Sequence, residues 1–126
     1  MAVRTFAAID VGSFELELGI YEMSYKTGIQ RIDHVRHVIA LGRDTYSTGK
    51  ISYGLVEEMC QVLEEFVQIM KSYKVRDYRA YATSAMREAH NRQIILDQIR
   101  VRTGLTVRII SCLLYTSPSP RDTERS

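Results

Sequence analysis

Apolar and polar residues alternate from Ser13 to Ile20, and this period of two constrains the fold more than any other pattern in the chain. Successive side chains of a β-strand point to opposite faces, so strict alternation is typical of a half-buried strand. Phe14 falls on the apolar face with Leu16, and this pattern predicts that its ring points toward the core. Glu15 falls on the same face as Ser13.

Two further strands flank this segment. Thr5–Val11 is apolar and alternating, and Ile29–Leu41 is a longer and more polar strand. Gly12-Ser13 and Lys26-Thr27-Gly28 have the residue types of tight turns. Strands joined by tight turns pair antiparallel, so the first third of the chain is predicted to form a three-stranded meander.

The second half of the chain has a helical period. Apolar residues recur at helical spacing after Ser52, a typical N-cap residue, and they predict an amphipathic helix over Tyr53–Tyr73. Asn91 is predicted to cap a second helix, Arg92–Thr103. Gly104 is predicted to end that helix because glycine adopts the left-handed conformation found after a helix C-terminus.

The remaining segments complete an alternation of strands and helices. Gly42–Gly49 is predicted as a loop, and Asp77–Ala82 and Leu105–Ile110 are predicted as strands. A short helical turn follows Ala82, so the predicted order is β-β-β-α-β-α-β. Strands separated by a helix cross over and pair parallel. The predicted fold class is therefore α/β, with a mixed five-stranded sheet.

A hydroxyl pair and an arginine follow the fourth predicted strand. Thr83 and Ser84 stand at the start of the helical turn, and Arg87 lies one turn further on. Backbone N–H groups at a helix start attract anions, and an arginine binds two phosphate oxygens at once. The stretch is therefore a candidate phosphate site. The alternative is that the Thr-Ser pair is only a helix cap.

A second candidate loop follows the first strand. Asp10 ends this strand, and Gly12 and Ser13 form a turn in which backbone N–H groups can approach an anion closely. Asp10 can hold a hydrated Mg²⁺, which keeps most of its waters in proteins. The alternative is an ordinary hairpin turn. If the first and fourth strands are neighbours, both candidate loops open at the same end of the sheet.

Charge and composition narrow the classes of partner. The net charge of +2 is too small to predict binding to nucleic acid or to an anionic membrane surface. No apolar run has the length of a membrane span, and the N-terminus does not resemble a secretion signal, so a cytoplasmic location is expected. Cys60 is predicted as a core residue, with no disulfide or zinc site. His34 and His37 are predicted as surface or packing residues rather than ligands.

The last fifteen residues differ in composition from the rest of the chain. Residues 112–126 contain both prolines and one of the two cysteines, and the peptide from Cys112 to Asp122 matches the translation of a common transposase sequencing adapter. We therefore expect one domain at residues 1–111 and a disordered, adapter-derived tail at 112–126, which has no place in the predicted fold. The alternative is a natural tail rich in serine and proline.

Two motifs together resemble one protein family. Residues 8–13, Ala-Ile-Asp-Val-Gly-Ser, resemble the first phosphate loop of the exopolyphosphatase and guanosine pentaphosphate phosphohydrolase family, and Ala82–Asn91 resembles its ATSA-x-REA-x-N signature. The resemblance extends from Thr5 to Ser111 and implies one lobe of an actin-like ATPase, or ribonuclease-H-like, fold. Further landmarks in the family's order are Leu41-Gly42, Gly49–Ser52, Thr103–Leu105 and Ile109–Ser111.

The resemblance also implies an activity and roles for individual residues. Family members remove terminal phosphates from inorganic polyphosphate or guanosine pentaphosphate with Mg²⁺, in a cleft between two lobes, and they are often homodimers. By this resemblance Asp10 helps to place the metal, and Arg87 is the catalytic arginine that neutralises the phosphate. Glu88 either orients Arg87 or is a solvated carboxylate. The implied phosphate-binding residues are Gly12, Ser13, Thr83, Ser84 and Arg87.

Two departures from the family pattern affect the expected activity. Phe14 and Glu15 stand where the family continues with asparagine and serine. A carboxylate about 4 Å from a phosphate charge repels it by about 4 kcal/mol at an effective dielectric near 20. The family also has a water-activating glutamate just after the position of Ser111, where the adapter sequence begins, and a second lobe. We therefore expect an inactive fragment of a phosphohydrolase. The alternatives are a non-catalytic phosphate- or nucleotide-binding regulatory protein and a kinase-type ATPase on the same scaffold.

Overall fold

The computed structural model describes residues 3–110 of the chain. The expected adapter-derived tail at 112–126 lies outside the described residues, as does Ser111. Within the described range, the strands form a single five-stranded sheet with helices against it. None of the helices between residues 3 and 110 combines the length and apolar content needed to cross a bilayer.

The sheet is mixed, as the alternation of strands and helices predicts. β1 (Arg4–Val11) pairs antiparallel with β2 (Glu15–Ser24), and β2 pairs antiparallel with β3 (Gly28–Val38). On its other side, β1 pairs parallel with β4 (Asp77–Ala82), which pairs parallel with β5 (Arg108–Ile109). The order across the sheet is β3-β2-β1-β4-β5. The C-terminal ends of β1, β4 and β5 therefore lie at one edge of the sheet.

A helix occupies the segment that the sequence predicts as a loop. α1 spans Leu41–Thr48 and ends at Gly49, whose φ of 80° lies in the left-handed region that favours glycine. The prediction of a loop at Gly42–Gly49 is wrong because glycine, serine and threonine are weak helix formers in isolation. Tertiary contacts override that preference here: the buried Thr45 donates its hydroxyl to the Ala85 carbonyl at 2.9 Å.

The other helices follow the predicted pattern. α2 (Tyr53–Ser72) begins after Ser52, whose Oγ accepts a hydrogen bond from an amide in the first turn of the helix. α3 (Ser84–Glu88) is the short helical turn after β4, and α4 (Arg92–Thr103) ends at Gly104 with a left-handed φ of 80°. The capping logic at these two termini is therefore confirmed.

One face of the sheet forms a hydrophobic core together with α2 and α4. Along β1, the buried Ala7, Ile9 and Val11 alternate with more exposed residues. Phe66 and Cys60 of α2 are buried in the same cluster, so the prediction that Cys60 is a core residue is confirmed. Burial of each large apolar side chain contributes about 1.5–3 kcal/mol, and the core therefore fixes which face of β1 and β4 turns outward.

The opposite face of the sheet is open to solvent along β1. Ala8 and Asp10 are exposed there, and Asp10 lies beside Glu17 of β2 in the strand register. Further along the same face, the rings of Phe6 and Tyr21 stack with their centroids 5.3 Å apart. The open face therefore has an aromatic half and an acidic half, and the acidic half lies next to the β1–β2 turn.

Three local predictions need correction. The third strand ends at Val38 rather than at Leu41, because the chain turns there into α1. The fifth strand is only two residues long, since only Arg108–Ile109 pairs with β4. Asn91 does precede α4, but its side chain makes no capping hydrogen bond to that helix.

Candidate functional site

The two candidate loops meet at one edge of the sheet. Val11 and Ala82 are the last paired residues of the parallel strands β1 and β4. The Thr83 amide then donates to the Val11 carbonyl at 3.2 Å, which extends the pairing by one step. The turn after β1 and the turn after β4 are therefore direct neighbours, as the sequence predicts if these strands are adjacent.

Three hydroxyl groups converge between these turns. Ser13 Oγ lies 3.3 Å from Ser84 Oγ, and Tyr46 Oη lies 2.6 Å from Ser84 Oγ and 3.3 Å from Ser13 Oγ. We call this group the hydroxyl cluster. Ser13 and Ser84 are both predicted phosphate-binding residues, and the structure brings them together although they are 71 residues apart in the chain.

Tyr46 is the member of the hydroxyl cluster that the sequence motifs miss. It lies on α1, which approaches the β1–β2 turn closely because the Gly42 amide donates to the Ser13 carbonyl at 2.7 Å. A Cβ at Gly42 would lie 3.0 Å from Ser13 Cβ and 3.0 Å from Tyr46 Cε2. The buried positions Leu41 and Thr45 have helical spacing. That spacing was the available sequence signal for a helix that presents Tyr46.

Gly12 lines the first loop as a turn residue. Its amide donates to the Glu15 carbonyl at 2.9 Å and closes the β1–β2 hairpin. A Cβ at this position would lie 3.1 Å from the same carbonyl oxygen. The structure therefore explains the glycine by the tightness of the turn, and the Ser13 hydroxyl rather than the Gly12 amide faces the hydroxyl cluster.

Thr83 stands at the N-terminus of α3 without capping it through its side chain. α3 has only five residues, so its dipole is small compared with that of a long helix. The Thr83 carbonyl accepts from the Arg87 amide at 3.0 Å, which fixes the turn between them. The chemistry available at this turn is therefore mainly that of the Thr83 and Ser84 hydroxyls.

Arg87 lies at the same edge of the sheet, beyond β4. Its Nη1 donates to the Ile110 carbonyl at 3.0 Å, and the Ile110 amide donates to the Ala82 carbonyl at 2.9 Å. Glu88 is 3.8 Å away from the guanidinium, longer than a hydrogen bond. The Ile110 carbonyl is thus the closer anchor for Arg87, and Glu88 is a largely exposed carboxylate. A guanidinium has five N–H donors, so Arg87 keeps donors for an anion.

Asp10 lies on the open face, one residue before the end of β1. Although Asp10 is exposed overall, neighbouring protein atoms partly shield its carboxyl from water and raise its pKa, and the negative charge of Glu17 raises the pKa further. Glu17 contacts His34 Nε2 at 2.9 Å, and this hydrogen bond lowers the pKa of Glu17. A cation next to Asp10 would offset the repulsion between the two carboxylates.

The residues around Asp10 fit a hydrated Mg²⁺. Mg²⁺ is usually bound through one or two carboxylates, several waters and substrate phosphates, rather than by an all-protein cage. Between residues 3 and 110, no group of three or more histidine, cysteine or acidic side chains has the geometry of a metal site. Asp10, with Glu17 beside it, is the position at which such an ion would be held.

Phe14 and Glu15 are both placed differently from the sequence expectation. Phe14 is 58% exposed because it lies in the turn before β2, so the prediction that its ring faces the core is wrong. Glu15 Oε1 lies 2.8 Å from Arg36 Nε, and Arg36 offsets its charge. A hydrogen bond from Glu15 to Glu17 raises the pKa of Glu15. The expected repulsion of phosphate by Glu15 is therefore reduced by a paired arginine.

The histidines of β3 lie outside the hydroxyl cluster. His34 pairs with Glu17, and His37 Nε2 lies 2.9 Å from Glu58 of α2. Both side chains are partly exposed, with carboxylate partners. Their placement matches the surface role that the sequence predicts.

Residues 20–112 match the profile of the Ppx/GppA phosphatase family. The chain belongs to this family. The matched range includes Thr83, Ser84 and Arg87, whereas the turn at Ser13 precedes it.

Relatives and solved structures from the Ppx/GppA family agree with this assignment. The chain is 28% identical over 103 residues to Exopolyphosphatase 1 of Mycobacterium leprae, covering 81% of this chain and 30% of the relative. It is 26% identical over 102 residues to Exopolyphosphatase 1 of Mycobacterium tuberculosis, with the same coverage. The crystal structure of the Aquifex aeolicus Ppx/GppA family member superposes with a TM-score of 0.86 at 28% identity, over 91% of this chain and 37% of that one.

These comparisons confirm the predicted fold class, and they show how much of each relative the chain covers. The five-stranded mixed sheet with its helices is the actin-like ATPase fold of the Ppx/GppA family, as the sequence resemblance implies. The chain spans about 30% of the length of the curated relatives that it matches.

Asn91, the last residue of the family-like signature, has a structural role in this chain. Its Oδ1 accepts from the Ile51 amide at 3.2 Å, and its Nδ2 donates to the Ile51 carbonyl at 3.0 Å. The neighbouring His90 amide donates to the Gly49 carbonyl at 2.7 Å. Asn91 therefore fixes the segment between α1 and α2 to the start of α4, and this segment positions α1 and Tyr46.

Proposed function

We propose that this chain forms the phosphate-binding lobe of a phosphohydrolase that removes terminal phosphate from inorganic polyphosphate or guanosine pentaphosphate. The observation that supports it most strongly is the 3.3 Å approach of Ser13 Oγ and Ser84 Oγ at the ends of adjacent parallel strands. Ligands of open α/β sheets bind outside the carboxyl ends of the strands. Membership of the Ppx/GppA phosphatase family and the exopolyphosphatase relatives support the same reaction class.

The proposed binding uses donors rather than a nucleophile. Ser13, Thr83 and Ser84 donate hydroxyl hydrogens to phosphate oxygens, and Arg87 supplies positive charge from the β5 side. A hydrogen bond to a charged group contributes about 1.5–3 kcal/mol net. Asp10 would help to hold Mg²⁺ through water, and the ion would supply positive charge that offsets the phosphate anion.

Activation of the attacking water requires a general base within hydrogen-bonding reach. The residues that we assign to the site bind phosphate and metal, and none of them is assigned as this base. We propose that the base comes from outside residues 3–110, and that the 126-residue polypeptide as written binds phosphate without turnover. A phosphate-release assay tests this directly, and magnesium-dependent release by the 126-residue chain would contradict it.

Binding is tested on the 126-residue chain with inorganic triphosphate as the probe. Isothermal titration in the presence of Mg²⁺ is expected to show saturable binding, and Ser84→Ala is expected to weaken it by about tenfold or more, because one charge-assisted hydrogen bond is lost. Ser24→Ala is the matched control, since Ser24 lies at the opposite end of β2 and bonds Thr27. Equal dissociation constants for the two serine variants would refute the assignment.

A second candidate is a non-catalytic phosphate- or nucleotide-binding regulatory protein on the same scaffold. Phe14 and Glu15 favour this alternative, because they stand where the family pattern has small polar residues. The Phe14 ring is exposed beside the first loop, and Glu15 pairs with Arg36. Assay of a protein that carries this segment together with a second lobe discriminates the two. Steady release of phosphate from polyphosphate by that protein supports the hydrolase, and tight binding without release supports the regulatory role.

The substrate, the oligomeric state and the cellular location of the protein are predictions with separate tests. The choice between polyphosphate and guanosine pentaphosphate is tested by competition between the two ligands for the same site. The expected homodimer is tested by light scattering after size-exclusion chromatography of a protein that carries this segment together with a second lobe. The cytoplasmic location is tested by cell fractionation with a tagged copy of the gene.

A further inference from the structure

We propose that Tyr46 is a fourth hydroxyl donor to the bound phosphate, in addition to Ser13, Thr83 and Ser84. This inference rests on the proposed function, because it assigns an additional ligand to the same phosphate group. Neither the Asp10–Ser13 motif nor the Ala82–Asn91 motif includes Tyr46. The proposed ligand of Tyr46 is an anionic phosphate oxygen, and no covalent bond forms or breaks when it binds.

The distances place Tyr46 in direct reach of that oxygen. Tyr46 Oη lies 2.6 Å from Ser84 Oγ and 3.3 Å from Ser13 Oγ, and the two serine oxygens are 3.3 Å apart. The 3.3 Å contacts exceed the usual range for hydroxyl hydrogen bonds, so the bonds of Ser13 within the cluster are weak. Each hydroxyl has one hydrogen to donate and can rotate about its C–O bond. A phosphate oxygen above this triangle offers a charged acceptor that all three hydroxyls can share.

α1 holds Tyr46 in this position. The Gly42 amide bonds to the Ser13 carbonyl at 2.7 Å, and the Thr45 hydroxyl bonds to the Ala85 carbonyl at 2.9 Å. Tyr46 Cε2 would lie 3.0 Å from a Cβ at Gly42, so the ring packs closely against that backbone. These two hydrogen bonds link α1 to the β1–β2 turn and to the turn after β4. A donor held this rigidly loses little conformational freedom when it binds a ligand.

Tyr46 is also accessible to a ligand. Tyr46 is 55% exposed, whereas Ser13 and Ser84 are less exposed and lie at the base of the cluster. The phenol therefore forms the solvent-facing side of the hydroxyl cluster, where an incoming phosphate arrives first.

The test compares Tyr46→Phe with Tyr53→Phe in the 126-residue chain, with inorganic triphosphate and Mg²⁺ as the probe. Tyr53 is 74% exposed and lies outside the hydroxyl cluster, so Tyr53→Phe also removes one exposed phenol and is the matched control. Tyr46→Phe is expected to weaken binding by about tenfold or more, since one charge-assisted hydrogen bond is lost while the ring remains. Its thermal midpoint is expected to stay within about 3 °C of the wild type.

A second measurement uses the unaltered chain. Titration with triphosphate is expected to shift the ring ¹H–¹³C resonances of Tyr46 with the same dissociation constant as calorimetry, while those of Tyr53 stay in place. A Tyr46→Phe variant with the wild-type dissociation constant overturns the inference, and so does a lower melting temperature with unchanged affinity. If Ser84→Ala weakens binding in the same series, the proposed function stands without Tyr46. If the wild-type chain binds no triphosphate, both the proposed function and the role of Tyr46 fail.

Discussion

Substitution of Asn91 by alanine is expected to destabilise the chain strongly, although Asn91 lies outside the hydroxyl cluster. The side chain bonds both the amide and the carbonyl of Ile51, and Ile51 is only 2% exposed. An unpaired buried backbone group costs about 1–3 kcal/mol. Because both contacts of Asn91 are only partly buried, each is assigned about 1–2 kcal/mol, which gives about 2–4 kcal/mol for the two. That is a large part of the roughly 5–15 kcal/mol that stabilises a domain of this size.

Urea unfolding followed by circular dichroism measures this loss. The midpoint of Asn91→Ala is expected to fall with little change in the slope against urea, because the surface exposed on unfolding is nearly the same. At about 2.1 cal/mol/K of unfolding entropy per residue, the expected loss corresponds to a thermal midpoint lower by about 9–17 °C. Gln93→Ala is the matched control, since it removes an exposed carboxamide from the same helix.

Gln93→Ala is expected to stay within about 0.5 kcal/mol of the wild type, as most exposed substitutions do. The reasoning would be refuted if Asn91→Ala also fell within that margin. Such a result would mean that water replaces the carboxamide at Ile51, and that the segment before α2 is held by the His90–Gly49 hydrogen bond instead.

Two further predictions follow from the packing of the site. Gly42→Ala is expected to weaken triphosphate binding by calorimetry, because the new Cβ would lie 3.0 Å from Ser13 Cβ and must displace the first turn; unchanged affinity would show that the turn yields at no cost. Asp10→Asn is expected to raise the free energy of unfolding at pH 7, because burial and Glu17 raise the pKa of Asp10 in the folded state and its ionised form therefore opposes folding. As the pH falls through this raised pKa the folded wild type takes up a proton, so urea titrations should show the gain shrinking and vanishing below the ordinary value of 3.8. A gain that grew toward low pH would contradict the assigned direction.

The sequence predicts those parts of the fold that local periodicity determines. Alternation along β1 and β2 and the helical spacing of α2 come from side chains that face a core, so burial and period agree. α1 could not be predicted this way, because its residues have weak helix propensity and it is held by bonds to residues far along the chain, such as the one between Thr45 and Ala85. Propensity is a weak guide wherever tertiary contacts supply most of the stability.

The site residues also divide into those that local sequence patterns predict and those that depend on tertiary contacts. Ser13 and Ser84 could be found because each follows a strand, and parallel neighbours put their turns at one edge. Alternation gives the wrong place for Phe14 because the pattern begins at Ser13, two residues before β2, in a turn where the period of two does not apply. Tyr46 was missed because its place in the hydroxyl cluster depends on α1. The one local signal, the helical spacing of Leu41 and Thr45, covers a single turn and is too short to predict a helix by itself.

The hydroxyl cluster joins three segments that are far apart in the chain, with separations of 33 and 38 residues between Tyr46 and the two serines. These oxygens come together only in the folded molecule, so a phosphate that bridges them binds the native state and not the unfolded chain. Its binding energy therefore adds to the stability, by about 2.7 kcal/mol at a ligand concentration one hundred times the dissociation constant. The melting temperature thus becomes a measure of ligand preference. Polyphosphate and guanosine nucleotides can be ranked by the stabilisation that each one gives, in a protein that need not turn any of them over.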